Sequence, residues 1–303
     1  MRRTHRWSRA AHSSLGARAA TLVAAAATAA ALAACGDTVA PTTGSLSDGQ
    51  IAADVAASTG EAIAGDVLDF GGDLSAAGVA SIANLGTTGG MVRASIAAAV
   101  ASCPYDAASQ THVCAAVTER GLTVTRTYQF RDAADTPTQS YDAANTASIF
   151  FTRTADGTVT ATNLNGVTWT GTTHRSQQST VTGLLGDETQ RVWNGIGQSH
   201  DTTDYSGTGG SRHYAGATIE TTRDVVMALP RASFPYPQSG TITRTVDFTL
   251  TATNGSGEIT KAVSRTVNVT FNGTAQVPIQ VNDVTCSLNL DTHRVSGCIR
   301  TSA

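Results

Sequence analysis

The chain has 303 residues, of which 14% are charged and 5% aromatic, and a formal net charge of −3. Length fits one large or two small domains. The charge content lies well below the roughly 25% of ordinary soluble domains, and the composition excludes a coiled coil, a collagen, a basic nucleic-acid binder and a multi-span membrane protein.

The first element is an export signal. Arg2, Arg3, Arg6, Arg9 and Arg18 precede an Ala-rich apolar run of 16 residues, Ala19 to Ala34, with no acid before it. A charged segment followed by a short apolar one is the form of a cleaved signal, and the run is shorter than the ~20 residues of a spanning helix. It ends in Leu32-Ala33-Ala34-Cys35. In this segment the chain resembles bacterial lipoproteins, whose lipobox it matches at every position. The resemblance implies cleavage before Cys35 and acylation of its sulfur, with the membrane as a partner through that lipid. It also implies a place in the cell envelope. Gly36, rather than Asp, follows the Cys, which in the enterobacterial sorting rule favours the outer membrane, at its periplasmic face or at the cell surface. Removal of residues 1–34 takes away five of 20 basic residues and no acid, so the mature chain carries 15 − 23 = −8. A net acidic domain is a poor partner for nucleic acid.

Four cysteines remain in an exported chain, an even number that reads as disulfides. The separations of 11 residues (Cys103 to Cys114) and 12 residues (Cys286 to Cys298) favour two local loops, each holding turn formers. A long-range pairing and a zinc site are the alternatives. No Cys-x-x-Cys spacing supports zinc.

Residues 36–47 are small and polar and read as a tether behind the anchor, so 35–47 form the lipid anchor and linker. Residues 48–101 form an Ala/Gly-rich helical region. Ile51, Val55, Ile63 and Val67 recur at helical spacing, and Ser47 with Gln50 reads as a capping box. A second apolar stripe, Met91/Val92, Ile96 and Val100, predicts another helix.

From about residue 113 the period becomes two. Thr dominates one set of positions: 38 of the 48 Thr lie after residue 115. Leu122 to Phe130, Ile242 to Ala252 and Ile259 to Phe271 alternate apolar, Arg or Lys residues with Thr and other small or polar residues, the pattern of half-buried antiparallel strands. Asn254-Gly255-Ser256-Gly257 supplies a turn that pairs Thr253 with Glu258 and Leu250 with Lys261. Turn signals at Ala155-Asp156-Gly157, Asn163 to Gly166 and Asn272-Gly273 bound further strands near 148–154, 158–162, 167–182, 190–200, 211–228 and 275–281. About nine or ten long strands in succession make residues 102–303 one mainly β domain. The expected architecture is a long-stranded antiparallel meander, closed as a barrel or curled as a half-barrel, with a two-sheet sandwich as the alternative. In architecture it loosely resembles the half-barrel lipoprotein carriers, though it has no motif of theirs.

Catalytic signatures are absent from the sequence: there is no Gly-x-Ser-x-Gly elbow, His-Glu-x-x-His pair, phosphate loop or dinucleotide fingerprint. No cofactor or metal is expected, and the reading leans away from an enzyme. The densest polar stretch, Ser199 to Tyr205 followed by Gly207 to His213, reads as a solvated hairpin loop. The alternative brings His200 and His213 together for a metal or for acid–base work.

Most of the clear strands carry an Arg among Thr, Ser or Asp: Arg126, Arg153, Arg223, Arg244 and Arg265. By parity each lies on the apolar side. A packed core does not accept unpaired guanidinium groups. Either they snorkel or pair with acids, or they line a cavity and meet the head group of an amphiphilic anion. The second reading makes the protein a binding or carrier protein. A structural or adhesive surface protein acting through protein contacts is the alternative.

Overall fold

A computed structural model describes residues 47–76, 103–119, 121–162, 168–186, 188–207, 210–254 and 257–300. The lipobox with Cys35, the tether, the second apolar stripe of residues 91–100, the Asn163–Gly166 turn and the Gly255-Ser256 pair lie outside the described residues.

The first element is a 29-residue helix, α1 (Asp48–Ala76). Ser47 caps it: its Oγ accepts from the Gln50 N–H at 3.2 Å, which satisfies one of the orphan donors of the first turn. The helix continues through Gly60 and Gly65, and Ile51, Val55, Ile63, Val67 and Phe70 are all buried.

The other regular elements among the described residues are strands: β1 (Tyr105–Asp106), β2 (Thr111–Val113), β3 (Val117–Glu119), β4 (Leu122–Arg131), β5 (Pro137–Thr138), β6 (Ser148–Thr162), β7 (Thr168–Thr182), β8 (Gln190–Gly207), β9 (Gly210–Ala228), β10 (Ser239–Asn254), β11 (Gly257–Thr270), β12 (Gln276–Val281), β13 (Val284–Asn289) and β14 (Arg294–Arg300). They form a single 14-stranded sheet. From β6 onward each strand pairs with the next in sequence, always antiparallel. The path ends at β1 and β14, so the sheet is not closed, and there is one sheet rather than the two of a sandwich.

The β10–β11 register is the expected one, with Thr253 opposite Glu258, Ala252 opposite Ile259 and Leu250 opposite Lys261. Both cysteine pairs are local, Cys103–Cys114 and Cys286–Cys298. Two expectations are corrected. Ala155-Asp156-Gly157 is not a turn: β6 runs straight through it, and Gly157 pairs with Leu122 and Thr173. The glycine is there for close approach, since a Cβ on it would lie 2.3 Å from the Gly121 carbonyl oxygen. Nor is the polar stretch after Ser199 a loop. Ser199 to Tyr205 belong to β8, and Ser211 to His213 to β9.

The long strands alternate. Their outward side carries cross-strand threonine pairs, such as Thr125 with Thr154 at 2.6 Å and Thr172 with Thr202 at 2.5 Å between hydroxyl oxygens. Their inward side carries the core and faces α1. The helix packs directly on β11, β12, β13 and β14. Its far end reaches β8, where Phe70 stacks on Trp193 at 4.7 Å between ring centroids. Among the described residues no helix is long and apolar enough to cross a membrane.

Candidate functional site

Four acids of α1 meet basic side chains, three on strands and one in the turn between β13 and β14. Asp48 meets Arg265 at 3.2 Å and Lys261 at 3.5 Å. Asp54 is gripped by both Nε (2.7 Å) and Nη2 (3.2 Å) of Arg212. The Tyr214 hydroxyl donates to the same carboxylate at 2.5 Å, and the Tyr205 hydroxyl donates to the Asp54 carbonyl at 3.0 Å. Glu61 lies 3.4 Å from His293. Asp66, with a fully buried side chain, takes Arg175 in a fork at 2.6 and 2.7 Å, Arg244 at 3.2 Å and Arg153 at 3.8 Å.

A second acid completes the last cluster. Glu220 of β9 accepts from Arg175 at 2.7 Å, from Arg244 Nε at 2.5 Å and from Gln177 at 3.0 Å. Planar guanidinium forks shared between two carboxylates are the arrangement in which buried charge is best tolerated.

The two buried helix acids differ in electrostatics. Burial pushes the Asp54 carboxyl above its ordinary value, an effect that Arg212 and Tyr214 only partly offset. Burial acts the same way on Asp66, but Arg175, Arg244 and Arg153 outweigh it and hold that carboxyl below the ordinary value. Burial, with the charge of Asp54, keeps the Tyr205 and Tyr214 hydroxyls protonated far beyond the usual range.

Between α1 and strands β4 and β6 to β10 lies a cavity of about 520 Å³. Its apolar walls include Val55, Leu122, Val124, Val159, Trp169 and Phe248. Gly171 and Gly216 also line it, at inward positions where they put no side chain into the space. On one side a polar patch carries Thr173, Ser199, Asp201, Thr203 and Thr218.

The arginines singled out by their Thr flanks are distributed as follows. Arg153 and Arg244 line the cavity, and both belong to the Asp66 cluster. Arg126 is buried on β4 opposite Arg153. Arg265 faces Asp48. Arg223 departs from its expected side: it is exposed. The sheet register shifts between Trp193 and Gly195, where β8 meets β9, and Asp224 has a positive φ of 49°. One extra residue on a strand reverses parity beyond it, so Val225 points in and Arg223 points out. Arg175 and Arg212 escaped the sequence argument, as did their acid partners.

His200 and His213 do not converge. Both lie on the outward side of the sheet, about 13 Å apart along the strand direction by strand rise. His213 bonds Asp204 at 2.7 Å, and His174 bonds Asp156. Among the described residues no group of three His, Cys, Asp or Glu side chains is placed to hold a metal.

Fold and site together define a class: an open antiparallel meander with a helix clasped to its inner face and a cavity between them. Comparison with protein-family models, with curated proteins and with solved structures gives no match to this chain.

Proposed function

We propose that this is a lipid-anchored envelope protein, held by Cys35, whose sheet curls as a half-barrel and binds a small, largely apolar molecule in the cavity beside α1. The observation that carries the reading is the cavity itself. Its volume of about 520 Å³ falls within the ~300–1,000 Å³ of small-molecule sites, and its mostly apolar lining with a few convergent polar groups is typical of them. Of the arginines expected to read an anionic head, Arg153 and Arg244 lie at the cavity, where both pair with Asp66 and Arg244 also pairs with Glu220; Arg175 beside them shares both acids. The proposal therefore keeps the binding or carrier role and drops an arginine-held anion from it.

A second reading, a surface protein acting through protein contacts, draws on Ile196 and Ile219. They are 61% and 65% exposed on the outward side of the adjoining strands β8 and β9.

One experiment addresses both. The chain is expressed with its own signal and examined by mass spectrometry. The denatured mass is expected to show acyl groups that vanish in Cys35→Ser, and the native mass a non-covalent passenger lost on unfolding. A chain that arrives empty and takes up none of an offered series of C6 to C12 alcohols would overturn the cavity reading and turn attention to the Ile196–Ile219 face.

A further inference from the structure

Asp201 stands apart from the other acids of the cavity. Asp54, Glu61 and Asp66 each face a basic side chain, Arg212, His293 and Arg175. Asp201 of β8 lines the same cavity, yet among the described residues it makes no ion pair. Its partners are hydroxyls only. Thr173 donates to one carboxylate oxygen at 2.5 Å; Ser199 at 2.5 Å and Thr218 at 3.3 Å donate to the other. These three hydroxyls come from β7, β8 and β9, so the sheet holds the carboxylate in one orientation.

We infer that Asp201 is the residue that reads the head of the cavity's ligand, and that this head is an ammonium group, so that the ligand is a primary amine on a compact apolar body. The inference rests on the cavity reading above and deepens it. An ionised carboxylate has about four lone-pair sites. The three hydroxyls occupy three of them, and one is left for the ligand. An ammonium brings three donors. One meets Asp201, and the hydroxyl oxygens around it, which still carry lone pairs after donating, accept the others. The cavity's apolar lining, with Leu122, Val124 and Phe248 in it, suits a hydrocarbon body. A carboxylate ligand would set two negative charges together in a site of low dielectric, which is strongly unfavourable. The cations that would relieve it, Arg153, Arg175 and Arg244, are drawn to Asp66 and Glu220.

The test is isothermal titration of the purified chain with three probes of one length: n-octylamine, n-octanol and octanoate, at neutral pH. A charge-assisted hydrogen bond contributes enough to separate the amine from the alcohol by about tenfold or more. The expected order is octylamine, then octanol, then octanoate. Asp201→Asn keeps the shape of the side chain and removes its charge; it is expected to abolish the preference for the amine over the alcohol. A thermal melt close to that of wild type shows that the variant is folded. Octanoate bound as tightly as octylamine by the wild-type chain would overturn the inference with no variant needed, and so would an amine preference that survives Asp201→Asn. In both cases the cavity reading stands. Failure of all three probes to bind would remove the cavity reading and this inference together.

Discussion

The two flanks of α1 meet the same sheet in different ways. On one flank the helix sits directly on β11 to β14. Gly60 marks the closest approach, where a Cβ would fall 2.6 Å from Val295 Cγ2 and 3.2 Å from Leu288 Cδ1. On the other flank the connection to β7, β9 and β10 is made by long polar side chains: Arg175, Arg212, Tyr214 and Arg244 reach across to Asp54 and Asp66. Short apolar side chains bring backbones together and leave no room, as in any close-packed interior. Arginines and tyrosines span a wider gap, and what they do not fill is the cavity. The difference shows how one helix both seals a core and roofs a cavity.

The largest effect is expected at Asp66. Asp66→Ala leaves Arg175 and Arg244 to share Glu220 alone and removes the carboxylate 3.8 Å from Arg153. Removing one partner of a buried ion pair costs about 3–5 kcal/mol. Chemical denaturation should show a loss of that size, and a variant of wild-type stability would mean that the polar flank contributes little to holding the helix.

The two helix glycines sharpen the contrast. Gly60→Val forces a side chain into the tight flank and should cost about 1–3 kcal/mol by overpacking. Gly65 lines the cavity, and a Cβ there meets nothing within 4 Å. Gly65→Ala should therefore stabilise, by about 0.5–1 kcal/mol, through helix propensity alone. Thermal melts of the two variants moving in the same direction would break the comparison of flanks.

The smallest effect separates the two acids of the polar flank by pH. The folded-state carboxyl of Asp54 is raised, so its contribution is complete below the ordinary value of 3.8 and is lost as pH rises through the raised value. That of Asp66 is lowered, so its contribution is complete above 3.8 and is lost as pH falls through the lowered value. Between neutral pH and about 4, wild type should gain stability relative to Asp54→Asn as the solution is acidified. Below that range both chains lose stability together as Asp66 is protonated. Parallel pH profiles for wild type and Asp54→Asn would show that Asp54 titrates as an ordinary carboxylate.

Much of the fold was legible because it depends on near neighbours in sequence. The Ser47 cap, the cysteine loops and the β10–β11 register each involve residues a few to a few tens of positions apart. Apolar and polar residues alternating with a period of two leave a hairpin one workable pairing. The candidate site was only half legible. Parity correctly placed Arg153 and Arg244 on the inward side, and failed at Arg223, where a bulge reverses the strand's faces. One signal went unused: Asp66 falls three residues after Ile63 and four before Phe70, inside the buried stripe of α1. A carboxylate in that position has to find a cation.

The sequence by itself determined a mainly β chain of long Thr-faced strands with a capped amphipathic helix before them, because hydrophobic period, caps and turns are local properties. Tertiary structure alone decided which charges cancel and which remain. Asp66 meets Arg175 and Arg244 across separations of 109 and 178 residues, while Asp201, among the described residues, is met by hydroxyls only. Charge compensation depends on distance in space, and no pattern along one strand or one helix encodes it.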